Sequence, residues 1–151
     1  MYRTFVEDYG VRPVFPVATQ DGEANYGAWI DTLGLDSIVF VPLAGALGGN
    51  ITGTVYSSAT NDGSGTTVVT YDGTNNVAEA FVNGTDEDRV GLLTVRRSYL
   101  ATTERYVTLR VTAANAGDMF GCLAILCRDL DAPIPNGTAE GVAFNVGYTG
   151  H

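Results

Sequence analysis

The chain contains no lysine. Its eight basic residues are all arginine, set against 17 acidic residues, for a formal net charge of -9. A surface of that sign has few cations to neutralise phosphates, which argues against nucleic acid and anionic membranes as partners. The charge keeps the chain soluble by self-repulsion, which salt screens. Histidine occurs once, as the terminal His151. A triad or metal site needs an imidazole held in place, and a terminal residue is poorly held. No G-x-S-x-G is present, so the sequence predicts neither a hydrolase nor any other enzyme. Cysteine is scarce too. Cys122 and Cys127 fall on one apolar stretch, where a straight strand would set them on opposite faces about 16 Å apart. A disulfide tolerates roughly 7 Å between Cα atoms, so two buried free thiols are expected, and no second ligand pair is present for zinc. Long hydrophobic runs are absent. "MFGCLAILC" is too short to span a bilayer, and "MYRTFVEDYG" lacks the apolar core of a secretion signal. No cofactor is expected.

What the chain does have is strands and turns. Its 151 residues suit one domain with one core. The 19 glycines cluster with Asn, Asp, Ser and Thr, as in turns between short strands. In "ERYVTLRVTAANAG", Val107, Leu109, Val111 and Ala113 point one way, and Tyr106, Thr108, Arg110 and Thr112 the other. "DSIVFVPLAG" is apolar on both faces, as in a central or doubly covered strand. Further strands are read in "NITGTVYSSAT", "TTVVTYDG", "VAEAFV", "RVGLLTVRRSYL", "DMFGCLAILCRDL" and "VAFNVGYTG", with the link "ATTE" as a hairpin or a corner between sheets. About eight strands, no amphipathic helical period and no fixed repeat predict an all-β, single-domain β-sandwich of jelly-roll type. Its expected core is Ile38, Phe40, Val55, Val69, Leu92, Val107, Leu109, Val111, Leu123 and Ile125.

Residues 1–35 lack sustained alternation, and Pro13 and Pro16 forbid central-strand pairing around them. They read as an extended N-terminal arm and lead-in, with the sandwich domain at 36–151. The arm's Tyr2, Phe5, Val6, Tyr9, Val14 and Phe15 need a surface to pack on, either the chain's own sandwich or a neighbour. Together with Phe144 and Tyr148 of the C-terminal "VAFNVGYTGH" they form the expected capsid or subunit interface.

Other candidate chemistry has plainer readings. Glu7 with Asp8, or Glu79 with Glu104, are conceivable glycosidase pairs, but acidic residues commonly sit on exposed faces and in loops. "GTDEDR" (Asp86, Glu87, Asp88) and Asp62 of "TNDGSG" offer calcium-type oxygens without EF-hand spacing. The Asn-x-Thr triplets at Asn50, Asn83 and Asn136 read as turns leading into strands. Arg96 and Arg97 point to opposite faces and suit salt bridges. An exposed cluster of Tyr26, Trp29, Tyr56 and Tyr71 would favour stacking on a sugar.

The stretch "GLLTVRRSYLATTERYVTLRVTAANAG…GCLAILCRDLDAPIP" resembles a family of small proteins encoded by tailed phages and prophages near the major capsid gene. Arg105-Tyr106-Val107 carries the family's "RYV" element, Gly121 to Leu126 its late apolar strand, and Pro133 follows. Upstream, "DTLGLDSIVFVPLAG" is similar to the family's opening, with Asp31, Gly34, Asp36 and Ser37 in place. In the middle third only Asp62-Gly63 matches, so no role is carried to that loop. The resemblance implies a virion structural protein, in the first place a decoration (cement) protein. Such a protein binds the major capsid protein on the outside of a phage head and stabilises the shell. It also implies self-association as a homotrimer and assembly in the host bacterial cytoplasm. The alternatives are a head-completion, neck or tail protein, or a carbohydrate-binding jelly-roll module for host attachment.

Overall fold

The computed structural model describes residues 9–127 and 142–146. Its strands are β1 (Tyr9–Asp21), β2 (Ala24–Tyr26), β3 (Ile30–Asp31), β4 (Ser37–Ala44), β5 (Ile51–Ser58), β6 (Thr67–Val68), β7 (Ala78–Phe81), β8 (Val90–Arg96), β9 (Tyr106–Ala113), β10 (Ala116–Cys127) and β11 (Val142–Val146), with a 3-10 turn at Arg97–Tyr99. The chain is wound as one long antiparallel hairpin. β1 pairs with β10, β2 and β3 with β9, β4 with β8, and β5 with β6 and β7. Curling this ribbon sets β10 beside β4 and β9 beside β5. The result is two sheets, β1-β10-β4-β8-β11 and β2-β9-β5-β6, with β3 also on β9 and β7 also on β5. That winding is a jelly roll. If β2 and β3 count as one broken strand along β9, and β6 and β7 as one along β5, the eight expected strands are recovered. β11 is added parallel to β8.

The core lies between the sheets. Phe40, Phe81, Phe120, Ile38, Ile51, Leu93 and Leu109 are among its largest fully buried side chains. Phe120 meets Phe15 and Phe81 edge to face, with ring centroids 6.0 and 6.2 Å apart. Such pairs add to the burial itself. At one end of the sandwich, buried Asp118 accepts N–H bonds from Gly48, Gly49 and Asn115, tying the β4–β5 link to the β9–β10 turn.

Ile38, Phe40, Val55, Val69, Val107, Leu109 and Val111 are buried as expected. Leu92, Leu123 and Ile125 are not core residues. They are half-buried, and Leu93, Cys122 and Ala124 take the inward positions beside them. β8 and β10 are apolar on both faces, so alternation cannot fix which face turns inward.

Residues 9–35 also differ from the expected lead-in. They supply β1, β2 and β3, so no boundary at residue 35 separates an arm from a domain within the described residues. The prolines bar a central position, but β1 is an edge strand. Its pairing with β10 shifts register between Pro13 and Phe15 and between Phe15 and Ala18. "ATTE" is a corner, since β8 lies in one sheet and β9 in the other.

Leu93→Ala is expected to cost about 2–5 kcal/mol in urea denaturation, as a fully buried leucine does. Leu92→Ala, one residue away but facing outward, should cost less than half as much. Equal costs, or the reverse order, would place β8 in the opposite phase.

Candidate functional site

The two sequence stretches that carry the phage-family resemblance meet in space. Arg105, from "RYV", forks onto Asp31, from "DTLGLDS", with Nε 2.7 Å from Oδ1 and Nη2 2.6 Å from Oδ2. The Arg105 guanidinium also lies over the Tyr106 ring, 5.5 Å from its centroid. Thr32 Oγ1 donates to the Arg105 carbonyl at 2.6 Å, and Arg97 N donates to the Asp36 carbonyl at 2.8 Å. Gly34 takes φ +76°, as the turn between β3 and β4 requires. Hydrogen bonds from Arg105 hold the Asp31 carboxyl below its ordinary pKa. The unit is a clasp at one end of the sandwich. A forked, satisfied ion pair fixes loop geometry and leaves no free acid or base.

On the outer face of the second sheet, Tyr26, Trp29, Tyr56 and Arg110 form a cluster. The link that carries it is pinned: Gly27 N donates to the Leu109 carbonyl, Ala28 N to the Val14 carbonyl, and Thr108 Oγ1 to the Ala28 carbonyl. A Cβ at Gly27 would come within 2.5 Å of Val14 Cγ1, so only glycine fits. Tyr26 stacks on Trp29 (5.9 Å, 25°) and stands edge-on to Tyr56 (5.4 Å, 84°). The Arg110 guanidinium sits 5.5 Å from the Tyr26 ring and 5.7 Å from the Tyr56 ring, and donates to Tyr56 Oη at 3.2 Å. Gly63 packs against Trp29. A Cβ there would lie 2.7 Å from Cζ2, and its φ of +75° also favours glycine. Tyr71 is elsewhere, packed against the core. The aromatic rings are therefore engaged by one another, by a guanidinium and by a backbone. The cluster clamps the 59–66 loop to the sheet, with Trp29 and Tyr56 half-buried and Tyr26 still exposed.

The other candidates have local roles. Asp62 accepts from Thr60 Oγ1 and Ser64 N within its own turn. Asp86 accepts from Val82 N and pairs with Arg89 at 3.5 Å. Glu79 sits across β5 from Gly53, whereas Glu104 accepts from Ser57 Oγ, about 13 Å further along that strand. That separation exceeds the spacing of glycosidase pairs. Among the described residues no group of three or more His, Cys, Asp or Glu is placed to hold a metal ion. Cys122 and Cys127 are buried, free thiols. Of the expected interface residues, Val14 is buried in the core and Phe15 packs against it, so these two serve the chain's own sandwich. Tyr2, Phe5, Val6 and Tyr148 lie outside the described residues, as do the side chains of Tyr9 and Phe144.

The outer face of the first sheet is the feature that the sequence reading did not single out. Across its strands, Val11 is level with Ile125 and Val39, Pro13 with Leu123 and Val41, and Gly121 with Leu43 and Val90. Continuing the β4–β8 register puts Leu92 beside Val41. Val17 lies over Gly121, where a Cβ would come within 2.6 Å of its Cγ2. Val11, Val17 and Leu43 are exposed, and Val39, Val41, Leu92, Leu123 and Ile125 half-buried. The first charged side chain met along it is Arg96, opposite Ser37 at its end. The signal was present in "DSIVFVPLAG" and "CLAILC". A strand apolar on both faces needs something on both.

No family model matches the chain, and no curated protein matches it. Solved structures similar to it include the following two. One is from work describing Bacillus endospore appendages as a novel family of disulfide-linked pili. It has a TM-score of 0.47 and 20% identity, covering 80% of this chain and 88% of that one. The other is of infectious bursal disease virus, Gt strain, with a TM-score of 0.39 and 15% identity, covering 83% of this chain and 33% of that one. Neither likeness is close enough to carry an argument about function.

Gly63→Ala should lift the 59–66 loop off Trp29. A loss of roughly 1–3 kcal/mol in stability is expected, with a red shift in the emission of the chain's single tryptophan. An unchanged spectrum would separate loop from ring. The thiols give a pH test. Burial pushes Cys122 up from 9.0 to about 12. Stability from this group is therefore complete below pH ~9 and falls as the unfolded thiol ionises above it, by up to about 1.4 kcal/mol per pH unit. Urea melts between pH 8 and 11 should show a shallower decline for Cys122→Ala than for the parent.

Proposed function

We propose that this chain is a non-enzymatic structural protein of a tailed-phage virion, a decoration protein that binds the outside of the head through the major capsid protein. The observation that carries the reading is the Asp31–Arg105 clasp. The two stretches on which the family resemblance rests lie far apart in sequence and are each other's partners in the fold. A pattern whose parts depend on one another physically is a better guide to kinship than strand-like text that any sandwich could imitate. The jelly roll supports the reading further, because it can present a broad sheet face to a lattice. Weak contacts repeated over many copies then become firm attachment. Residues 2–8, with Tyr2, Phe5 and Val6, are the proposed anchor to the shell, and a homotrimer is the proposed unit. For the carbohydrate alternative the aromatic cluster leaves chiefly Tyr26 exposed, with Trp29 and Tyr56 half-buried.

The test is made on purified particles carrying this chain. Quantitative mass spectrometry should find hundreds of copies per particle. A dozen or fewer would identify a neck or tail part instead. Deleting residues 2–8 spares β1, so the truncated protein should melt near the parent temperature and bind heads lacking the native protein much more weakly. Undiminished binding would remove the anchor.

A further inference from the structure

One end of the sandwich carries a cleft of about 390 Å³, set between the β3–β4 turn, the 3-10 turn after β8 and the corner that leads into β9. The clasp forms part of its wall. Its charged lining residues are Arg97, Glu104 and Arg105. Arg105 is forked onto Asp31, and Glu104 accepts from Ser57 Oγ. Arg97 is half-buried, and among the described residues its guanidinium has neither a hydrogen bond nor an ion pair. The chain holds 17 acidic residues against eight basic ones, so carboxylates are plentiful as partners. Arg89 and Arg105 each have one. Arg97 has none. Leu33 lines the same cleft and is 71% exposed, more than any other large hydrophobic side chain among the described residues.

We propose, resting on the decoration reading above, that this cleft receives a carboxylate side chain, flanked by an apolar one, from the protein surface on which the chain docks. A guanidinium presents N–H donors in a planar fork, and a carboxylate accepts two of them in parallel. Partial burial has already stripped Arg97 of some of its water, and a donor left unmet there is costly. An arriving carboxylate therefore displaces little hydration and gains a charge-assisted fork. No acid within the cleft competes for it, because Glu104 is engaged by Ser57 and Asp31 by Arg105. Leu33 calls for the second element. From its turn it adds nothing to the core, and covering it with a partner's apolar side chain is favourable. The cleft is open, with Leu33, Ala59, Thr102 and Thr103 exposed along it. A pocket for a free small molecule encloses most of its ligand. An open cleft suits one or two side chains presented by a larger surface. Net charge sets the character of that surface. At -9 the chain repels other copies of itself and acidic proteins beyond contact range. The fitting partner is a neutral or basic surface from which a single aspartate or glutamate projects.

The experiment uses the full chain and two capped dipeptides, N-acetyl-Leu-Glu-amide and N-acetyl-Leu-Gln-amide. Titrated at millimolar concentration into isotope-labelled protein, the Glu peptide should shift the Arg97 Nε–H resonance and the amides of residues 32–35 and 102–105. The Gln peptide should not. Arg97→Gln should abolish the difference between them. In binding to heads that lack the native protein, Arg97→Gln and Leu33→Ser should each raise the dissociation constant at least about tenfold, the effect of 1.4 kcal/mol. Arg97→Lys should recover only part of the loss, since an ammonium keeps the charge without the fork. Circular dichroism and urea midpoints establish that the variants fold. Equal shifts from both peptides, or none from either, overturn the proposal, as does head binding by Arg97→Gln at parental strength. Self-association of the parent that is lost in Arg97→Gln, read by sedimentation velocity, would make a second copy the occupant and overturn the choice of partner. A parent that fails to bind heads yet distinguishes the two peptides would refute the decoration reading and leave the carboxylate site standing.

Discussion

The pairing of β10 with β4 is the constraint on which the rest depends. It runs without interruption from Phe120 opposite Ala44 to Cys127 opposite Ser37. β1 hangs on the free side of β10, and β8 on the free side of β4. Phe120, at the start of this pairing, touches Phe15 of β1 and Phe81 of β7, so one ring couples the edge of the first sheet to the second. The paired residues come from opposite halves of the chain. Their encounter carries a large loop-closure cost, and a topology of such contacts folds slowly. Local turns alone cannot set this register. The apolar content of the two strands must make their meeting favourable before either sheet is complete.

That requirement shows why the sequence was legible in some places and opaque in others. In β5 and β9 one face is hydrophobic and the other rich in hydroxyls, so alternation gives both the strand and its orientation: Val55, Val107, Leu109 and Val111 turn inward. In β8 and β10 both faces are apolar. The strands are readable there, but their phase is not, and Leu92, Leu123 and Ile125 were assigned to the wrong side. Pro13 and Pro16 gave the opposite error. They correctly barred a central strand, yet an edge strand with register shifts accommodates them, so residues 9–21 belong to the sandwich.

The candidate sites follow the same logic. Asp31 and Arg105 were each visible as parts of a pattern, but their partnership depends on β3 lying on β9. The grouping of Tyr26, Trp29 and Tyr56 was anticipated as a possibility, whereas the occupation of their faces was not. That depends on Arg110 reaching between two rings and on Gly63 closing over the indole, which are tertiary facts with no local sequence signal. The two clusters do similar work. Each joins a loop to the second sheet through cationic and aromatic contacts, leaving the first sheet's outer face without such traffic.

Charge and apolar surface are thus separated by face and by range. Repulsion among copies at net charge -9 acts over the Debye length, roughly 8–10 Å in ordinary salt. The attraction of Val41, Leu43 and Leu123 for an apolar surface acts at contact. The outer face of the first sheet is not bare, however. Ser37, Thr94 and Cys127 lie on it and are buried, so the second apolar face of β4, β8 and β10 is met in part by the chain's own fold, while Phe40, Leu93 and Ala124 hold the core on the first. Strands covered in this way on both sides carry no alternation from which their phase could be read.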